Sequence, residues 1–144
     1  MNFQECQERI STIKPDALIS EIISEGKDFV IENLQEQLQQ GLITSDGLYK
    51  PLKNKEYREY KISKNPDAEG NWDLKDTGDF YNEMKITADN KGYFTTSTDS
   101  KFSDLSDKFG TNDLLGTTPE TIERLNMKLI IPEMVRKIKE KINA

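Results

Sequence analysis

The sequence predicts an α+β fold, and three observations carry that prediction. Apolar residues recur at three-to-four spacing between Ala17 and Gln40. Two short alternating runs, Met84 to Ala88 and Tyr93 to Ser97, flank Asp89-Asn90-Lys91-Gly92. Thr118-Pro119-Glu120 then opens a helical region running towards Ala144. A period near 3.6 returns side chains to one face of a helix and a period of 2 to one face of a strand. The expected order is a long N-terminal helix, a long and partly irregular connection, a short helix leading into a β-hairpin or small antiparallel sheet, and C-terminal helices. One domain is expected over residues 1–144, with residues 1–14 as an N-terminal arm.

Asn2 to Ile13 reads as a short helix marked by Phe3, Ile10 and Ile13. Pro15 suits the first turn of the longest helix, Ala17 to Gln40, whose stripe includes Leu18, Ile22, Ile23, Val30, Leu34 and Leu38. Gly26 interrupts it, either bending the helix or admitting a close neighbour, and Gly41 is a fitting stop. The connection Leu42 to Asp73 carries turn signals at Ser45-Asp46-Gly47, Asn65-Pro66-Asp67 and Glu69-Gly70-Asn71. Tyr49, Tyr57, Tyr60 and Trp72 lie between them as candidate interface anchors. The segment 42–73 is read as an excursion docking on a neighbour, the alternative being a loop folded back on its own core.

The pivot of the chain is Leu74 to Ile86, where irregular sequence hands over to patterned sequence. Asp76 and Thr77 offer side-chain oxygens as caps, so a short helix is expected from Gly78 to Met84, with Phe80 and Met84 on one side. The hairpin follows, its Asn-Lys-Gly turn supplying the positive φ of a tight connection. Asp99 or Ser100 then starts a helix with Phe102, Leu105 and Phe109 on one face, ended by Gly110. After a loop through Leu114-Leu115-Gly116, Thr118 caps a helix that places Ile122, Leu125 and Leu129 together. Pro132 kinks it or begins another, with Val135, Ile138 and Ile142.

Composition narrows the chemistry. The chain of 144 residues is 34% hydrophobic and 32% charged, with a formal net charge of -6, one Cys and no His. Cys6 alone makes no internal disulfide and no multi-Cys zinc site, and the lack of imidazole removes the hydrolytic constellations built on it. The Asp-rich turns do not match the spacing of a calcium loop. No pair of carboxylates stands out by apolar surroundings, so no catalytic residue, cofactor or metal is expected. The acidic balance argues against a protein that grips phosphate backbones, although Lys50, Lys53 and Lys55, and Arg136, Lys137, Lys139 and Lys141, form local basic patches. No stretch has the length of a membrane span or the layout of a signal peptide, so a cytoplasm-like compartment is expected.

The run Leu74-Lys75-Asp76-Thr77-Gly78-Asp79-Phe80, the hairpin, Thr98-Asp99-Ser100-Lys101, Leu105, Lys108-Phe109-Gly110, Leu115-Gly116-Thr117-Thr118-Pro119-Glu120 and the C-terminal helix resemble phage neck proteins. These are the tail-completion, head–tail joining and virion-morphogenesis proteins of tailed bacteriophages, particularly in phages of Bacteroides-like hosts. The likeness covers roughly Leu42 to Ala144. Thr117 departs from it, standing where an apolar residue often follows the glycine. The resemblance marks Leu74, Asp76, Thr77, Gly78, Phe80, Gly110 and Gly116 as its structural motif. It implies a non-enzymatic virion protein, a hexameric or dodecameric homo-oligomeric ring between portal and tail. Such a ring would contact portal or adaptor and other neck proteins and let DNA pass without specific binding, having assembled in the host cytoplasm. The alternatives are a small cytoplasmic adaptor or inhibitor with one protein partner, and a carboxylate-based glycan hydrolase.

Overall fold

A computed structural model describes residues 2–89, 92–99, 101–111 and 113–144. Helix α1 (Phe3–Ser11) opens with a reciprocal cap. Asn2 Oδ1 accepts the Glu5 N–H at 2.8 Å, and the Glu5 carboxylate accepts the Asn2 N–H at 2.9 Å. α1 is docked on the C-terminal helix, where Arg9 donates to the carbonyl of Ile142 at 2.6 Å.

The continuous helix expected over 17–40 is two helices, α2 (Pro15–Glu25) and α3 (Lys27–Gln39). They break at Gly26, whose ψ of 24° leaves the helical region. The reason is tertiary: a Cβ on Gly26 would stand 2.9 Å from Leu129 Cδ2, so the glycine admits a leucine of the C-terminal region into the joint.

The segment 42–73 is folded back on the core. It contains helix α4 (Lys55–Lys64), capped by Asn54, and a 3-10 turn at Pro66–Ala68. Bridges pair Leu42 with Tyr49, Pro51 with Asn71 and Thr44 with Leu114. The N–H of Leu52 reaches the carbonyl of Gly70 at 3.0 Å and that of Trp72 reaches Lys50 at 2.8 Å. Backbone groups of this long connection thus find partners within the chain.

The short helix expected over 78–84 is the single turn α5 (Asp79–Asn82), because Met84 is taken by strand pairing. β1 (Met84–Asp89) and β2 (Gly92–Ser97) form an antiparallel pair, with Met84 opposite Ser97, Ile86 opposite Thr95 and Ala88 opposite Tyr93. That face lies against α2 and α3, and Phe94 points the other way, 61% exposed. Asn90 and Lys91 of the expected turn, and Ser100 as an expected helix start, lie outside the described residues.

Helix α6 (Lys101–Phe109) starts where Asp99 Oδ1 accepts the Lys101 N–H at 2.8 Å and ends at Gly110, φ 60°. α7 (Pro119–Leu125) is capped by Thr118 Oγ1, which accepts the Thr121 N–H at 3.3 Å. A π-turn, Asn126–Ile130, joins it to α8 (Ile131–Asn143) without a gap. Pro132 has no N–H to give and its ring crowds the carbonyl four residues back, and the chain widens by one residue just ahead of it.

The core has two lobes. Leu34, Leu38, Ile43, Phe80, Met84 and Leu115 belong to one, Ile23, Val30, Ile86 and Leu125 to the other, and Ile31 packs against both. Among the described residues no helix is long and apolar enough to cross a membrane.

Candidate functional site

A cavity of about 150 Å³ opens between α4, α5 and α6, with apolar walls from Leu52, Tyr57, Trp72, Leu74, Phe80 and Leu105. Trp72 is held from two sides. Phe109 meets it edge-on with centroids 5.4 Å apart, and Lys108 Nζ lies 4.2 Å from its ring centre. On α4, Tyr57 stacks on Tyr60 at 6.2 Å. At the cavity rim, Lys101 Nζ stands 3.7 Å from Asp76.

The floor is ionic. Lys61 Nζ donates to Asp73 Oδ1 at 2.8 Å and also to the carbonyl of Lys75. The Lys61 and Asp73 side chains are only 11% and 2% exposed. Asp73 Oδ1 also accepts the Lys75 N–H at 3.0 Å, and Oδ2 accepts Asn65 Nδ2 at 3.0 Å. Tyr81 donates its hydroxyl proton to the Asp73 carbonyl at 2.5 Å. Burial, and then the Asp73 charge, push the Tyr81 phenol well above the usual tyrosine range. This network brackets Leu74, a buried leucine at φ 59°. A bulky residue is rarely found there, and about 1–3 kcal/mol of strain is the ordinary cost. Hydrogen bonds on both flanking peptides hold it in this conformation.

A second, polar depression of about 340 Å³ adjoins the first across this floor, sharing Lys61, Asp73, Lys75 and Asp76. Tyr60 and Lys64 also line it.

The structure brings Tyr57, Trp72, Leu74, Asp76, Thr77 and Phe80 to one pocket, with Tyr60 at its neighbour. Tyr49 is 57% exposed and lines neither. Gly78, at φ 94°, is itself the N-cap of α5, so the expected side-chain cap is absent: Thr77 Oγ1 only accepts the Asp79 N–H at 3.3 Å from the residue before the cap, and Asp76 pairs with Lys101. Gly110 and Gly116 act elsewhere, Gly116 in a loop tied to α3 by Gln37. That buried amide donates to Gly116 O at 2.8 Å and accepts from Thr118 N at 2.9 Å.

Sequence reasoning missed Lys61, Asp73 and Asn65. The one available signal was a charge set between large apolar neighbours, Trp72-Asp73-Leu74, which marks a carboxylate the fold must cover. Nothing local pairs it with Lys61, twelve residues earlier. No group of three or more potential metal-ligating side chains gathers among the described residues. Comparison of the chain with protein-family models, with curated proteins and with solved structures gives no match.

Proposed function

We propose that the protein is a structural subunit of a closed ring in the neck of a tailed bacteriophage, between portal and tail, and that it acts by docking rather than by catalysis. The observation that carries this reading is the preformed pocket, apolar and aromatic in its walls and braced by a buried ion pair. Its volume of about 150 Å³ is that of cavities able to take a benzene-sized group. It suits one large apolar side chain from a neighbouring subunit. A pocket on one surface that receives a projection from a different surface makes a head-to-tail contact, and such contacts close into rings when the rotation permits. Tyr57 and Trp72 are of the residue types that dominate interface energetics. The net charge of -6 supports a conduit that lets a duplex slide instead of retaining it by counterion release.

Co-expression of the gene with the genes flanking it, followed by electron microscopy, tests the reading. Six- or twelve-fold rings stacked on a portal-like ring are expected from the unaltered chain. Thr77→Trp, which fills the pocket mouth, and Tyr57→Ala, which strips one wall, should keep the fold and lose ring addition. A soluble one-to-one complex with a single partner, or hydrolysis of a glycan lost on one Glu or Asp substitution, would overturn it.

A further inference from the structure

α7, the π-turn and α8 run as one rod, and a row of residues at four-residue steps follows its outer side: Glu123, Met127, Ile131, Val135 and Lys139. In an unbroken α-helix four residues turn through roughly 400°, so such a row drifts around the axis by about 40° per step. The wider π-turn takes back part of that drift, and all five residues of the row are exposed. Leu125 and Leu129, on the opposite side, pack into the core. Met127, Ile131 and Val135 are 65%, 55% and 46% exposed, and the charged residues ending the row are exposed as well.

We propose that a second copy of this chain covers this row, its rod antiparallel to the first, with the two-fold axis passing at Ile131. The argument is the order of charges. Read from either end the row is charge, three apolar residues, charge, with Glu123 and Lys139 equally far from Ile131. Turned about that residue it matches itself, so Met127 meets Val135 and each Glu123 meets Lys139 of the second copy. A parallel pairing would stack like charges at both ends and is disfavoured for that reason. The contact is isologous, because the same patch serves both copies. Three apolar side chains cover far less than the roughly 800 Å² per partner of a standard interface, so a dissociation constant on the order of 10–100 μM is expected. The row contains no residue of the pocket, so this inference does not rest on the ring reading.

Sedimentation velocity of the full chain, from about 5 to about 500 μM, should show a monomer–dimer equilibrium. Ile131→Glu, which sets two carboxylates on the axis, should weaken it at least roughly tenfold, and Lys139→Glu should weaken it as well. Glu123→Lys combined with Lys139→Glu should restore the dimer. In a Cys6→Ser background, Ile131→Cys should oxidise to a covalent dimer by itself, whereas Glu123→Cys and Lys139→Cys should cross-link only with each other. These substitutions are at exposed positions, and circular dichroism of each variant confirms that it is folded. A monomer at every concentration, or Glu123→Cys cross-linking to itself, would overturn the proposal. Tyr57→Ala should leave the dimer unchanged, so failure here and failure of the pocket reading are separate results.

Discussion

Lys61 Nζ lies 2.8 Å from Asp73 Oδ1 and also binds the carbonyl of Lys75, so one buried cation fixes both sides of Leu74 in its left-handed conformation. Breaking such a pair from one side leaves a charge buried without its partner, at about 3–5 kcal/mol. Lys61→Met is therefore expected to lower the urea midpoint by that equivalent with an unchanged m-value. Lys61→Met with Asp73→Asn should cost less than the sum of the single changes, as expected for a coupled pair. A loss below about 1 kcal/mol for Lys61→Met would remove the ion pair from the account of the pocket floor.

Tyr81 gives the fold an alkaline limit. Its folded pKa is raised, by burial first and by Asp73 second. The unfolded phenol ionises near about pH 10 while the folded one keeps its proton. The unfolded state then binds fewer protons, so stability is whole below about pH 10 and falls above it by roughly 1.4 kcal/mol per pH unit. Tyr93, raised in the same direction by burial, adds to the slope. Denaturant midpoints between pH 9 and 11 read this slope. Tyr81→Phe should flatten it, and at neutral pH should lose about 1 kcal/mol with the hydrogen bond to Asp73 O.

Gly116 is bound by sterics. A Cβ there would come 2.2 Å from Asp113 Oδ1, and the same carboxylate holds Ser45 through its N–H at 2.9 Å and through its hydroxyl. Gly116→Ala must displace Asp113 and release that loop. A loss of about 1–3 kcal/mol in chemical denaturation is expected, and Asp113→Ala made on top of it should cost little more.

Gly78 is bound by the backbone instead. Its φ is 94°, and beyond its own residue and its two chain neighbours nothing lies within 4 Å of where a Cβ would stand. Gly78→Val should cost about 1–3 kcal/mol from conformation alone, and Gly78→Asn distinctly less, because Asn tolerates the left-handed region. Equal thermal midpoints for the two variants would contradict this assignment.

The sequence by itself determined the elements whose signals are local. The Thr118-Pro119 start of α7 is read from one cap and one ring, and the hairpin from alternation. Phe102, Leu105 and Phe109 share a helix face by spacing alone, and they pack against the same core lobe. Only the tertiary structure decided the rest. A glycine at 26 was open to a bend or to a close neighbour, and the tertiary structure supplies the neighbour, Leu129, about a hundred residues away, and splits the helix there. Outside α4, segment 42–73 shows no strong periodicity because it is held by isolated bridges, two within the segment and one from Thr44 to Leu114, and by side-chain hydrogen bonds such as Asn65 to the Gln39 carbonyl, which leave no repeating mark in sequence. The pocket is hidden for the same reason. Tyr57 and Trp72 announce themselves as large aromatic residues, whereas Lys61 and Asp73 are two among 46 charged side chains until folding withdraws both from water and leaves each as the other's partner.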